Sequence, residues 1–323
     1  MADTANTPRK TYTGKKGFEV LRREDFKMQR KIVANMTTEA WLRTPHAALV
    51  YEPDVTDFLS LYQNLRESDA RWKGISLNTV FLKIITEGLI AAPGLNAHID
   101  YNHNFVNGTV EQYKDINISV SMGLPSRTGM MTINIHNCEQ QSLTDLQNYI
   151  ADVRRRMENT DFTEAMFEVS LDNTLRLLKK GKLLTILGRL TGATVGRGKI
   201  DRLRGEAKRK YQAIPAADRL TKADIEQGTF LVSNIGSVFR GSKLFATLLD
   251  VIPPQVAAIC IGNVFDKAGV VTHPDGTKTV EPRRACCWNL AIDHRALDFD
   301  EIEPFFQRCD RFFAHPEEME AWL

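Results

Sequence analysis

The sequence predicts a mixed α/β fold in which a β-sheet is flanked by helices. Segments with an apolar period of two, or a short continuous apolar run, intermingle with segments of helical period. Their order is not the strict β–α alternation of a doubly wound fold, and there is no GxGxxG or P-loop pattern. With 323 residues, 43% hydrophobic and 25% charged, the chain is long enough to bury a substantial core.

The chain begins with a polar stretch, and residues 1–19 are predicted to be a disordered tail. This stretch lacks the apolar core of a secretory signal, so we expect a cytoplasmic protein. Residues 20–323 are predicted to form one domain. The first helix lies in EDFKMQRKIVANMTTEAW, whose helical apolar stripe consists of Phe26, Val33, Met36 and Ala40.

HAALVYEPDV (46–55) predicts a strand, and the helix that follows it is predicted to be capped by Thr56. ISLNTVFLKIITEGLIAAPG is apolar almost all round, which predicts a buried helix ending at Gly94. Strands are predicted in NAHIDYN, INISVSMGL and GMMTINIHN. The next helix opens at Ser142, which forms a capping box with Asp145.

The carboxyl-terminal third returns to strands. TFLVSN, VAAICIG and CCWNLAID are predicted to be strands, the second of them central because it is continuously apolar. A final helix is predicted from Asp300, and Pro304 is tolerated in its first turn because amides there lack helical partners. Its inward-facing residues are predicted to be Ile302, Phe305, Cys309 and Phe312.

Residues 160–224 interrupt this pattern and are predicted to be a basic helical insertion. Between Arg176 and Lys210 there are twelve Lys or Arg and two acidic residues, a net charge of +10. The whole chain carries +2, so the remainder carries −8. Such a block can dock an acidic partner, for example a lipoyl or carrier domain at 176–210, touch an anionic membrane, or contact coenzyme A phosphates. The alternative is a solvated helical hairpin.

Several classes of protein and site are disfavoured. Only one aromatic residue accompanies the basic run, so nucleic acid is not expected as a partner. No apolar run has the length of a membrane span. The five cysteines are an odd number without CxxC spacing, which indicates reduced thiols rather than disulfides or a zinc site. The histidines show no metal-ligand spacing, so no metal is expected.

His294 stands at the end of the strand CCWNLAID, between Asp293 and Arg295. Histidine is a candidate general base because its unperturbed pKa lies near neutrality. The alternative is a structural histidine that bonds a carbonyl at the strand end. Ser233, in SNIGSVFRGS, lies at a strand-to-loop junction that can aim a hydroxyl at a developing oxyanion. These residues alone leave the reaction open.

Five segments form an ordered set across the chain. They are TPHAALVYEPDVTDF (44–58), LNTVFLKIITEGLIAAPGLNAHID (77–100), GTFLVSNIGS (228–237), IPPQVAAICIGNV (252–264) and DHRALD (293–298). Together they resemble the catalytic domain of the dihydrolipoyl acyltransferases of 2-oxoacid dehydrogenase complexes. That domain belongs to the chloramphenicol-acetyltransferase-like superfamily, whose HxxxDG signature the last segment resembles.

The resemblance implies a chloramphenicol-acetyltransferase-like fold and acyl transfer from acyl-coenzyme A, as substrate, to a thiol. It implies that His294 is the base and that Ser233 hydrogen-bonds the oxyanion. It implies that Asp298 braces the site through an arginine, for which Arg30 is the candidate, rather than by touching the histidine. It also implies a homotrimer in which the histidine of one subunit faces the serine of the next. Asn234 and Arg295 are taken as supporting residues.

The chain also departs from the family pattern. Phe299 replaces the signature glycine, and residues 1–19 are too few for a lipoyl domain, so no lipoyl group is expected on this chain. An acyl carrier is then expected on a separate chain. Two alternatives stay open: a non-catalytic trimeric scaffold of the same fold, and an O- or N-acyltransferase that acts on a small metabolite.

Overall fold

The fold is built on a six-stranded mixed sheet. The computed structural model describes residues 12–13, 16–124, 129–179, 183–195, 199–239 and 241–323. The pairs β6–β8 and β8–β9 are parallel and the other neighbours are antiparallel, which confirms the predicted mixed sheet. In spatial order the strands are β3 (His46–Tyr51), β10 (Lys278–Asp293), β9 (Ala257–Thr272), β8 (Phe230–Asn234), β6 (Ile118–Gly123) and β7 (Met130–Ile135).

Two small hairpins lie outside this sheet. One pairs β4 (Ala97–Asn102) with β5 (Asn107–Gln112), a strand that the sequence did not predict. The other pairs β1 (Tyr12–Thr13) with β2 (Glu19–Val20), so three residues of the predicted tail, Tyr12, Thr13 and Glu19, are in strands. The rest of that prediction falls mainly on residues 1–11 and 14–15, which lie outside the described residues.

Helices flank the sheet. The described helices are α1 (Met28–Arg43), α2 (Thr56–Ser68), α3 (Leu77–Ala91), α4 (Leu143–Glu158), α5 (Phe162–Lys179), α6 (Leu183–Thr194), α7 (Gly205–Ala213), α8 (Lys222–Ile225) and α9 (Phe299–Ala314). A 3-10 helix, Pro316–Trp322, ends the chain. In the described part of the chain, no helix is long and apolar enough to cross a bilayer.

The main core lies between the sheet and helices α3 and α9. Trp288 of β10 and Phe305 of α9 are fully buried there. The two helices approach closely because α3 carries Gly88 at the contact. A Cβ atom on Gly88 would lie 2.6 Å from ring carbons of Phe305, closer than packed carbons approach. The predicted inward residues of α9, Ile302, Phe305, Cys309 and Phe312, are all buried.

Three predicted details are wrong. On α1 only Met28 and Ala40 are buried, whereas Phe26, Val33 and Met36 of the predicted stripe are exposed. Thr56 does not cap α2. It is the first helical residue, and the Asp54 carboxylate accepts from its backbone N–H at 2.9 Å. The buried helix α3 ends at Ala91, and Gly94 lies in a separate 3-10 turn.

The helices of the predicted insertion are joined to the body by ion pairs. Arg156 of α4 lies 2.8 Å from Asp224, and both side chains are nearly buried. Arg202 lies 2.7 Å from the buried Glu164 of α5. The first pair ties the carboxyl-terminal part of the insertion to α4, and the second lies within the insertion, where it joins its two described flanks.

Candidate active site

The backbone of strand β10 fixes the position of His294. At the strand end, the Asp293 N–H donates to the carbonyl of Val256 at 2.8 Å, and the His294 N–H donates to the carbonyl of Pro45 at 3.0 Å. β10 is therefore held on both sides up to its last residue. The next residues turn sharply into α9, so the histidine side chain projects from a rigid strand end.

The turn is held by a buried carboxylate. Asp293 is fully buried and accepts hydrogen bonds from the Arg295 backbone at 3.0 Å and from its Nε at 2.9 Å. This bonding raises the pKa of the Arg295 guanidinium. Arg295 also lies over the ring of Tyr101, with its Cζ 5.1 Å from the ring centroid. Arg295 thus supports the turn that carries His294.

The contacts of the imidazole select one tautomer. Nδ1 of His294 lies 3.0 Å from the carbonyl oxygen of Leu297. A carbonyl only accepts, so Nδ1 carries the proton in the neutral ring. Nε2 then keeps its lone pair, which is the form a general base needs. The side chain is 41% exposed, so the ring is partly accessible from solvent.

Asp298 contacts the histidine directly. Its Oδ1 lies 3.3 Å from Nδ1 of His294, and its backbone N–H donates to the carboxylate of Glu301 at 2.8 Å at the start of α9. Arg30 is exposed on α1, and no bond between it and Asp298 is present among the described residues. The prediction that Asp298 acts through Arg30 without touching the histidine is therefore wrong.

Phe299 forms one side of the histidine's surroundings. Its ring centroid lies 5.3 Å from that of His294, and the side chain is 50% exposed. Phe299 is the first residue of α9, a right-handed helical position that needs no glycine. The backbone here accepts a bulky residue where the family signature has glycine, and the ring takes space next to the imidazole.

Ser233 lies near the end of β8 and is half-buried. It pairs in register with Cys260 of β9, and burial raises the pKa of the Cys260 thiol. Asn234 shapes the turn that follows. Its Oδ1 accepts from the Ser237 N–H at 2.9 Å, and its Nδ2 donates to Asn78 at 2.6 Å. Asn234 therefore holds the loop that follows Ser233.

Ser233 and His294 lie at opposite ends of the sheet. Ser233 is opposite Cys260, Cys260 is opposite Asn289, and His294 comes five residues after Asn289. Two interstrand spacings of about 4.8 Å and five residues of about 3.3 Å separate them, so the two positions are roughly 19 Å apart. One chain does not bring this pair to one substrate atom.

A groove of about 1370 Å³ adjoins the turn, and Arg295 forms part of its lining. The end of α1 supplies Trp41 and Arg43, and the β4–β5 hairpin supplies Tyr101 and His103. Sequence reasoning did not assign these residues to the site, since they are far from His294 in the chain. Among the described residues, no group of three His, Cys, Asp or Glu could hold a metal ion.

A comparison with models of protein families shows to which family the chain belongs. The model of the catalytic domain of the 2-oxoacid dehydrogenases acyltransferase family matches residues 20–170 and 199–321. The chain belongs to this acyltransferase family. The resemblance read from the five sequence segments is therefore confirmed. The unmatched stretch, 171–198, lies inside the insertion predicted over 160–224.

Relatives in this acyltransferase family differ in the acyl group they carry. The chain is 21% identical, over 271 residues, to the dihydrolipoyllysine-residue acetyltransferase of the Corynebacterium glutamicum pyruvate dehydrogenase complex. It is 28% identical, over 251 residues, to the dihydrolipoyllysine-residue succinyltransferase of the Pseudomonas aeruginosa 2-oxoglutarate dehydrogenase complex. These matches cover 83% and 78% of this chain but 30% and 43% of the relatives. The chain thus spans less than half of either protein's length.

The fold is also that of solved acyltransferase cores. The cubic core of a pyruvate dehydrogenase multienzyme complex matches with a TM-score of 0.59 at 16% identity. The match covers 93% of this chain and 94% of that one. At this identity the likeness establishes the fold.

Proposed function

We propose that this chain transfers an acyl group between coenzyme A and the thiol of a dihydrolipoyl group, with His294 as general base. The observation that carries the proposal is the contact between Nδ1 of His294 and the Leu297 carbonyl, which leaves Nε2 as the acceptor. Family membership supplies the class of reaction. The base is worth about 10²–10⁴-fold in rate.

The chemical step follows from this geometry. Nε2 of His294 takes the proton of the acceptor thiol, and the resulting thiolate attacks the thioester carbonyl. A new S–C bond forms, and the carbonyl electron pair moves to oxygen. Collapse of this intermediate breaks the old S–C bond, and the leaving thiolate recovers the proton from His294. Asp298, 3.3 Å from Nδ1, favours the positively charged imidazolium while it exists, by an amount that its exposure to solvent keeps small.

The oxyanion partner is proposed to come from a second copy of the chain. Ser233 is the hydroxyl expected to donate to the oxyanion, and in its own chain it lies roughly 19 Å from His294 by sheet geometry. A site between neighbouring subunits removes this separation. A homotrimer closes such a head-to-tail arrangement, with three equivalent sites, and trimers can assemble further.

The acyl carrier is proposed to sit on a separate chain and to dock on the predicted surface at 176–210. Within it, α7 offers exposed cations, Arg209 and Lys210, next to the exposed Arg204. In the described part of 199–225, no large apolar residue is exposed. Such a polar basic surface suits an acidic carrier domain, whose affinity would fall steeply as salt is raised.

The first experiment measures acetyl transfer from acetyl-coenzyme A to dihydrolipoamide. His294→Ala is expected to lower kcat by about 10²–10⁴-fold and Ser233→Ala by about 10²–10³-fold. His273→Ala is the matched control, because His273 lies at the far end of the β9–β10 hairpin and is partly exposed. Equal activity in wild type and His294→Ala would overturn the proposal.

A mixing experiment tests the shared site. Oligomers assembled from His294→Ala and Ser233→Ala chains are expected to regain activity. Random pairing gives intact sites at about one interface in four. No recovery in mixed oligomers of the two chains would mean that each chain uses its own serine or another donor.

A wild-type protein that binds coenzyme A and turns over only amines or alcohols would instead indicate an O- or N-acyltransferase. Absence of binding and turnover would indicate a scaffold.

A further inference from the structure

Three side chains that can form hydrogen bonds lie in a row across the sheet. Ser233 of β8 is in register with Cys260 of β9, which is in turn opposite Asn289 of β10. Residues in register on neighbouring strands project to the same face of a sheet. The two neighbours of Cys260 along β9, Ile259 and Ile261, face the main core, so the row lies on the other face of the sheet.

Cys260 stands in the middle of this row and is buried, with 1% of its surface exposed. Burial raises the pKa of its thiol, so the group is protonated at neutral pH. The backbone at Ile235 and the hydroxyl of Ser233 act in the opposite direction and lower that pKa. A hydroxyl has this effect when its proton is directed at the sulfur. The Ser233 hydroxyl therefore lies next to the Cys260 sulfur, in agreement with the register of the two strands.

Asn289, at the other end of the row, has a hydrogen-bond acceptor left over. Its Nδ2 donates to the carbonyl of Thr247 at 2.8 Å and to that of Leu49 at 3.2 Å. These bonds fix the amide, whose buried Oδ1 has no hydrogen-bond partner among the described residues. The Cys260 thiol makes a long contact of 3.9 Å with the carbonyl of Ile261. A weakly held donor thus stands beside an acceptor without a partner.

We propose that Cys260 positions Ser233 for catalysis, an inference that rests on the proposed role of Ser233 as the oxyanion donor. The thiol proton is directed at Oδ1 of Asn289, and a lone pair of the sulfur accepts from the Ser233 hydroxyl. A thiol is both a weak donor and a weak acceptor, so it can form both bonds. The negatively charged oxyanion is a stronger acceptor than sulfur, so the hydroxyl donates to the oxyanion as it forms.

The sulfur keeps the serine hydroxyl from other acceptors. Serine hydroxyls commonly bond to backbone carbonyls near them in the chain, and such a bond would turn the proton away from the oxyanion. A weak bond to sulfur holds the hydroxyl on the sheet face and costs little when it is released. The donor is then in place before the charge develops, which is what makes an oxyanion donor effective.

Two other roles for Cys260 fit the observations less well. A catalytic or redox-active thiol needs exposure and a lowered pKa, whereas this thiol is buried and its pKa is raised. A thiol that serves only as a small apolar filler needs no polar neighbours. Cys260 nevertheless has Ser233 and Asn289 on either side of it in the row.

The test is a double-mutant cycle in acetyl transfer from acetyl-coenzyme A to dihydrolipoamide. Cys260→Ala is expected to lower kcat about fivefold to tenfold and to leave KM within about twofold, because the oxyanion exists only after the substrate is bound. In a Ser233→Ala background, the same substitution should change kcat by less than about twofold, since the hydroxyl that Cys260 positions is absent.

Two further substitutions separate hydrogen bonding from packing. Cys260→Ser keeps a donor and an acceptor of similar size and should retain most of the wild-type kcat. Cys260→Val fills the space without a lone pair and should lose as much activity as Cys260→Ala. Cys138→Ala is the matched control, because Cys138 is a fully buried thiol in the main core. It should lower the melting temperature, which is measured for every variant, and leave kcat unchanged.

Wild-type kcat in Cys260→Ala, an equal loss in both backgrounds, or full activity in Cys260→Val would overturn the proposal. The result for Ser233→Ala alone separates this failure from that of the proposed function. A large loss in Ser233→Ala without coupling to Cys260 leaves the serine as the oxyanion donor and removes only the role of Cys260. Unchanged kcat in Ser233→Ala would remove the oxyanion donor itself, and the role of Cys260 with it.

Discussion

Asp293 and Arg295 form a fork across the turn that carries His294. Nε of Arg295 lies 2.9 Å and its Nη2 2.5 Å from the two oxygens of the Asp293 carboxylate, which is almost wholly buried. The turn that carries His294 is thus held by an ion pair whose carboxylate is protected from water. The direction of the histidine side chain therefore depends on this neighbouring pair.

Breaking this fork is expected to affect both stability and catalysis. Arg295→Met leaves the buried Asp293 carboxylate without its partner, so the free energy of unfolding should fall by about 3–5 kcal/mol. Arg295→Lys keeps the charge but not the planar fork. Its free energy of unfolding should therefore lie between those of the wild type and Arg295→Met. Urea unfolding at neutral pH measures the stability, and kcat with dihydrolipoamide measures the effect on His294.

A second turn provides the control for this prediction. Arg71 bonds Asp69 with the same spacing and the same fork, but on the surface. Arg71→Met should leave stability and kcat almost unchanged, because exposed ion pairs contribute little. Equal losses for the two methionine variants would contradict the importance of burial.

Phe299 is expected to limit the size of the acyl group. Phe299 stands at the position where the family signature has glycine, and its ring centroid lies 5.3 Å from that of His294. Phe299→Gly should open this space, so kcat/KM for longer acyl-coenzyme A donors should rise about tenfold relative to the acetyl donor. A series of donors of increasing chain length, tested on both proteins, measures the ratio. A parallel change for all donors would mean that Phe299 acts only on the backbone of the turn.

The Arg156–Asp224 pair is expected to make stability depend on pH. Although burial opposes it, bonding to Arg156 and to Thr221 holds the pKa of Asp224 below its usual value. A carboxyl with a lowered folded pKa stabilises the protein above its unfolded pKa. That contribution is lost as the pH falls through the folded pKa.

Asp224→Asn should therefore destabilise the protein by about 1–3 kcal/mol near pH 7, because the nearly buried Arg156 loses one of its two charge partners and keeps only Asp152. The difference from wild type should shrink as the pH is lowered toward about 3. Urea unfolding at several pH values measures both. A difference that is the same at all pH values would show that packing, not ionisation, is responsible.

Gly88 is expected to be essential for the packing of α3 on α9. Gly88→Ala places a Cβ 2.6 Å from the Phe305 ring and should destabilise the protein by about 1–3 kcal/mol. Gly74→Ala is the control, because no atom lies within 4 Å of the added Cβ. The melting temperatures of the two variants and the wild type measure the difference in stability. Combining Gly88→Ala with Phe305→Leu should recover part of the loss.

Much of the fold was readable from local patterns. The strand that ends at Asp293, the capping box of Ser142 with Asp145, and the buried face of α9 are confirmed, since each depends on residues close in sequence. The exposure of the apolar stripe of α1 could not be predicted from the sequence. Helical periodicity identifies an apolar face but does not say whether the chain itself covers it.

The sequence by itself determined the family, the mixed sheet and the two candidate residues His294 and Ser233, because motifs and hydrophobic periods are written in consecutive residues. Only the tertiary structure decided that Asp298 touches His294, that Arg295 turns back to Asp293, and that the histidine and serine lie at opposite ends of one sheet. These relationships depend on strand register and on the path of a turn, which set distances between residues far apart in the chain.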